Sequence, residues 1–141
     1  MKTLIALFIT GASFNSNASL IESIQGFYMQ KVQTHVKTKK GVSTRTNINV
    51  AEVTMIDDNA ARVVLNIQDK SGRCALVADF LKNGDTLVFT KNSETGRGTC
   101  EVTVANFRGR GLIVYENKDK GDCSDICSGK AQLGVRLFDR M

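Results

Sequence analysis

Four cysteines, Cys74, Cys100, Cys123 and Cys127, are the residues of this 141-residue chain whose types and spacing point most directly to chemistry. Such thiols can clamp a zinc ion, form a redox couple, or be oxidised to structural crosslinks. Zinc takes about four Cys, His or carboxylate ligands in a tetrahedron, commonly as close pairs. Here only Cys123 and Cys127 are close; Cys74 and Cys100 fall on separate predicted strands, and the sole histidine, His35, is remote. A thioredoxin-type couple has two intervening residues at a helix start, whereas Cys123 and Cys127 have three between them in a polar loop. Crosslinks remain: an even cysteine count in a small exported chain points to two disulfides and to no metal or other cofactor. Of the three pairings, Cys74 with Cys100 and Cys123 with Cys127 is expected, because the first two open neighbouring antiparallel segments and the last two can close a tight ring. One condition attaches to it. On the outer strands of a flat three-strand meander, Cys74 and Cys100 would be about 9–10 Å apart, beyond disulfide reach, so the strands must coil strongly or the cysteines must lie at strand ends.

Catalytic constellations find little support, and no enzyme is expected. His35 opens the basic stretch HVKTKKG with no Ser or Cys partner nearby in sequence, so it reads as a solvated residue on a flexible connection rather than a general base. Asp57-Asp58 precede Asn59 between two strand-like runs and read as turn formers. The Gly-Arg-Gly motifs at 96–98 and 109–111 do not open a helix after a strand, so they are not phosphate cradles. Arg97, Arg108 and Arg110 could converge at one end of the domain. Arg108, Arg110 and Lys130 are the candidate partner-binding residues. The formal net charge of +5 comes from scattered cations with few aromatics beside them, which makes nucleic acid an unexpected partner.

The compartment is read from MKTLIALFITGASFNSNAS. Lys2 is its only charge, an apolar run spans Leu4 to Ile9, and a polar small-residue tract follows, which is the layout of a secretory signal peptide. Ser16 and Ala18 are placed for cleavage after Ala18, and Ser19, not cysteine, gives no lipoprotein anchor. Residues 1–18 are therefore expected to be a leader and 19–141 one exported domain, periplasmic or secreted. No stretch approaches the roughly 20 apolar residues of a membrane span.

The elements that must position these residues alternate with period two and break at turn residues, the pattern of an antiparallel all-β domain. Ser19 and Glu22 have capping-box spacing for a short first helix. Ile48 and Val50 point one way and Asn47 and Asn49 the other; Val63, Leu65 and Ile67 share a face, as do Cys100, Val102 and Val104. Asn83-Gly84 between two β-rich arms is the strongest hairpin signal. In KAQLGVRLFDR, Leu133, Val135 and Leu137 share one face, with Arg136 and Phe138 on the other. About eight short strands predict a small antiparallel barrel or sandwich.

From Arg73 to Arg140, a strand opening on Cys74, a hairpin, the strand CEVTV from Cys100 and then CSDICSGKAQLGVRLFDR resemble small exported bacterial proteins similar to the periplasmic lysozyme inhibitors. In these a Cys-x-x-x-Cys-Gly-like element leads into the last strand; here Ser128 stands before Gly129, where the element more often has glycine directly after cysteine. The resemblance implies a small antiparallel β-barrel outside the cytosol and carries no lysozyme-contacting residue. The expected function is binding of a protein partner: occlusion of the cleft of an envelope-directed hydrolase, or, as the alternative, an immunity-type pairing with a secreted toxin.

Overall fold

The structure, a computed structural model, describes residues 19–94, 96 and 98–141. The expected leader, residues 1–18, and Arg97 lie outside the described residues. Ser19 starts the fold: its Oγ accepts the Glu22 amide at 3.2 Å and caps helix α1, Leu20–Ile24. Five residues are too few to be helical alone. Burial of Ile21 and Ile24 fixes this turn, and its last carbonyls are taken up by side chains. Arg140 Nη2 donates to Ser23 O at 2.6 Å, and Tyr28 Oη donates to Ile24 O at 2.7 Å.

Eight strands follow: β1 Gly26–Thr38, β2 Gly41–Asp57, β3 Ala60–Asp69, β4 Gly72–Asn83, β5 Thr86–Asn92, β6 Thr99–Phe107, β7 Gly111–Glu116 and β8 Val135–Arg140. Each pairs antiparallel with the next, and β8 returns to β1 through Tyr28↔Arg140 and Met29↔Asp139, closing a barrel. At the seam Arg140 Nη2 also donates to Tyr28 Oη at 2.6 Å, so one guanidinium joins first strand, last strand and helix. An eight-stranded barrel is just wide enough for side chains to fill. Tyr28, Val63, Phe80, Leu87, Val102, Leu112 and Phe138 do so, each at most 1% exposed. The predicted faces of β3 and β6 are the inward ones.

Three expectations change. The disulfides are Cys74–Cys127 and Cys100–Cys123, not Cys74–Cys100 and Cys123–Cys127. The physical reason is that β4 and β6 are not neighbours: β5 stands between them, paired to Cys100 through Lys91 but to β4 only over Leu81–Asn83, and beside Cys74 the chain that pairs is the strap residue Cys127. HVKTKKG is no loose connection but the end of the β1–β2 hairpin, with Thr38 paired to Gly41 around Lys39-Lys40. The parity of β8 and of early β2 also runs against the aliphatic count. Phe138 points inward while Val135 and Leu137 are exposed, and Asn49 is buried while Ile48 is exposed. Asn49 can be inside because it is fully used: Nδ2 donates to Gln30 Oε1 at 3.0 Å and Oδ1 accepts the Gln68 amide at 2.8 Å.

Candidate functional site

Antiparallel order gives the barrel two different rims. One carries α1 and the β2–β3, β4–β5 and β6–β7 turns; the other carries the β3–β4 turn, the β5–β6 loop and the long β7–β8 connection, residues 117–134. That connection is a strap. It leaves β7, runs along the start of β6, where the Thr99 amide donates to Lys120 O at 2.9 Å, and crosses to the start of β4. There the Ser128 amide donates to Arg73 O at 2.7 Å and the Lys130 amide to Ser71 O at 3.0 Å. A short 3-10 turn, Ser124–Ile126, separates Cys123 from Cys127, so that the first bonds Cys100 on β6 and the second Cys74 on β4. Cys123, Ala131 and Leu133 are buried beneath it and close this end of the interior.

The strap meets the β3–β4 turn backbone to backbone, and glycine makes that approach available. A Cβ on Gly72 would strike Ser128 O, and one on Gly129 would strike Ser71 O. Both residues also have positive φ, +148° and +62°, which a side chain would disfavour.

The strap borders an open depression of about 660 Å³, lined by Glu116, Lys118, Cys123, Lys130 and Leu133 among others. Lys118 Nζ is 3.9 Å from the nearly buried Glu116 carboxylate, and Lys130 is exposed and outside every ion pair among the described residues. At the strap's origin Glu101 accepts from Lys120 Nζ and Asn117 Nδ2, both at 2.9 Å. These hydrogen bonds, from Lys120 first and then Asn117, hold its carboxyl below the usual carboxylate range. The arrangement is a rigid, cation-edged surface suited to binding.

The sequence-derived candidates do not converge. Arg108 and Arg110 lie in the β6–β7 turn at the helix rim, with Arg108 at φ +54° and its guanidinium 5.1 Å from the Phe107 ring centre. Lys130 lies on the strap at the opposite rim. Gly96 and Gly98, which flank Arg97, belong to the β5–β6 connection, also away from Arg108. Asp57 is a turn former, its Oδ1 accepting the Asn59 amide at 2.7 Å. His35 is exposed on β1 with Nδ1 3.2 Å from Thr44 Oγ1. Among the described residues no three His, Cys, Asp or Glu side chains are grouped to hold a metal ion.

Sequence reasoning missed a second surface. Beyond Met29, β1 has no β8 partner, and before Val50, β2 has no β3 partner, so Lys31–Thr38 and Gly41–Ile48 pair only with each other. This ribbon projects from the strapped rim by about 26 Å, eight residues at the strand rise. It holds Lys31, Lys37, Lys39, Lys40 and Arg45 and no carboxylate; the signal available was the run from Glu22 to Glu52 without an intervening Asp or Glu.

Two disulfides mark an oxidising, extracellular-type compartment. No helix among the described residues is long and apolar enough to cross a membrane. Comparison with protein-family models, curated proteins and solved structures finds no match to this chain.

Proposed function

We propose that the protein is an exported, non-enzymatic binding protein, periplasmic or secreted, that occludes the cleft of an envelope-directed hydrolase in the manner of the lysozyme inhibitors that Arg73 to Arg140 resemble. The strap carries this reading. It is a loop fixed by two disulfides and by main-chain bonds to β4 and β6, so it loses little conformational entropy on docking. The barrel interior is filled with side chains, which favours recognition on the outside. Lys118 and Lys130 are the proposed contacts; Arg108 and Arg110, at the opposite rim, belong to another face.

The net charge of residues 19–141, 18 Lys and Arg against 14 Asp and Glu or +4, opposes approach to a basic lysozyme and favours an acidic hydrolase. The same charge would suit an acidic secreted toxin, which is the second reading. The test titrates the oxidised protein into peptidoglycan-lysis assays with acidic and basic hydrolases, alongside a pull-down from envelope extract. Stoichiometric inhibition of an acidic hydrolase, weakened by Lys130→Glu, is expected. Absence of inhibition, with no hydrolase recovered in the pull-down, overturns the inhibitor reading; recovery of a toxin instead establishes the second.

A further inference from the structure

The β1–β2 ribbon carries five of the chain's 19 basic residues and none of its 14 acidic ones. Of the remaining 14 cations Lys2 lies in the expected leader and the other 13 fall one short of the 14 carboxylates, so the whole net positive charge of the exported chain belongs to the ribbon. Its outward face, read from the register, alternates cations with aliphatics across the strands: Lys31 faces Ile48 and Lys37 faces Val42, with Lys39 and Lys40 at the tip. Ile48 and Val42 are 55% and 65% exposed. The same face continues into the barrel wall, where Phe27 on β1 and Val135 and Leu137 on β8 are exposed as well, and its carboxylates, Glu52 across from Phe27 and Asp139 across from Met29, lie at the end away from the tip. A two-stranded hairpin is marginal in water by itself, and nothing in its own composition offsets this concentration of like charge.

We propose that this outward face docks flat on an anionic lipid bilayer. A second copy of the chain would set five cations against five. A nucleic acid would supply phosphates, but the ribbon offers no Phe, Tyr or Trp for stacking on bases and only His35 as an aromatic ring, and Val42 and Ile48 would gain nothing from a phosphate backbone. An anionic bilayer supplies both requirements at once: headgroup charge for the lysines and an apolar layer beneath it for the aliphatics. Because the outward face lies along the barrel wall, docking leaves the strap open.

The test is co-sedimentation of the full disulfide-bonded protein with vesicles of phosphatidylcholine alone or mixed with phosphatidylglycerol, with duplex DNA and polyglutamate offered as soluble polyanions. Binding to the mixed vesicles and not to phosphatidylcholine alone is expected. It should weaken about fivefold per lysine removed, hence about 25-fold for Lys39→Gln/Lys40→Gln and similarly for Lys31→Gln/Lys37→Gln. Val42→Ser, which keeps every charge, should weaken it about fivefold through lost apolar burial. Lys82→Gln/Lys91→Gln, on the barrel wall, should leave it unchanged. Equal binding to both vesicle types, or retention after both pairs of ribbon lysines are neutralised, overturns the proposal. So does equally tight binding of DNA or polyglutamate with no effect of Val42→Ser, which would make the ribbon a site for soluble polyanions.

Discussion

Opening the two disulfides separately tests whether the strap is held as described. Cys100–Cys123 spans a sequence separation of 23 and lies wholly within the 53 spanned by Cys74–Cys127, so the crosslinks are nested. In the chain-entropy treatment the inner link alone stabilises by about 3.5 kcal/mol and the outer alone by about 4.2 kcal/mol. Nesting lowers the increment of each when the other is closed, because the inner link shortens the outer loop to about 30 residues and brings its increment to about 3.7 kcal/mol. Removing Cys74–Cys127 should therefore cost about 3.7 kcal/mol, removing Cys100–Cys123 about 3, and removing both about 7, before any loss of packing around the buried sulfurs. A domain of this kind has a total stability of about 5–15 kcal/mol, so each single-pair variant should fold and the fourfold variant should be at the edge of folding. Urea denaturation of Cys74→Ala/Cys127→Ala, Cys100→Ala/Cys123→Ala and the fourfold variant reads these values, and a non-reducing peptide map of the native protein reads the connectivity. A map joining Cys74 to Cys100, or a pair whose removal costs less than about 1 kcal/mol, would refute the reasoning.

Asn49→Ala removes the acceptor of the Gln68 amide at a fully buried position and should cost about 1–3 kcal/mol, read as a lowered urea midpoint. The folded pKa of Glu101 is lowered, so its contribution is present above the unfolded value near 4.5 and is lost as pH falls through the folded value. Glu101→Gln should consequently lower the thermal midpoint near neutrality and leave it unchanged in acid, with a difference below about 1 kcal/mol because Lys120 is largely solvated; a difference that persists at low pH would contradict this. Gly129→Ala forces a side chain against Ser71 O at positive φ, and faster amide exchange at Ser128 and Lys130 is expected to precede any change in the barrel strands.

Much of the barrel was legible because period-two alternation is imposed by the strand itself, and in β3 and β6 the aliphatic parity coincides with the inside. Parity alone says which residues share a face, not which face is buried. In β8 the trio Leu133, Val135 and Leu137 looks like a core stripe, yet Leu133 belongs to the strap and Phe138 sets the register. Its inward neighbour Arg136 is accommodated by donating to Leu133 O at 3.0 Å, to Gln132 O at 3.1 Å and to Asp69 at 3.5 Å. Asn49 inverts the count in β2 for a similar reason: its partners are Gln30 and Gln68, which no local window contains. The disulfides fail as a local inference too. Cys123 and Cys127 are near each other in sequence, but a 3-10 turn directs them to different strands, and only the order β4-β5-β6 reveals that Cys74 and Cys100 need separate partners.

The ribbon illustrates how composition and topology combine. A scattered net charge is a statement about solubility; the same charge gathered on one projecting hairpin is a field with a direction. Sequence order distributes Lys31, Lys37, Lys39, Lys40 and Arg45 over fifteen positions that look solvated. Pairing folds those positions into two facing strands, where Lys37 lies across from Val42 and Thr34 across from Arg45, and the repulsion this concentrates is left uncompensated by any carboxylate on the ribbon. The 13 and 17 residues of β1 and β2 exceed what their barrel neighbours pair with, so the extension adds no core to the barrel. Its stabilisation by an anionic surface is therefore separable from folding: neutralising the ribbon should relieve self-repulsion and leave barrel stability equal or higher, whereas opening the strap disulfides lowers stability without changing the ribbon's charge.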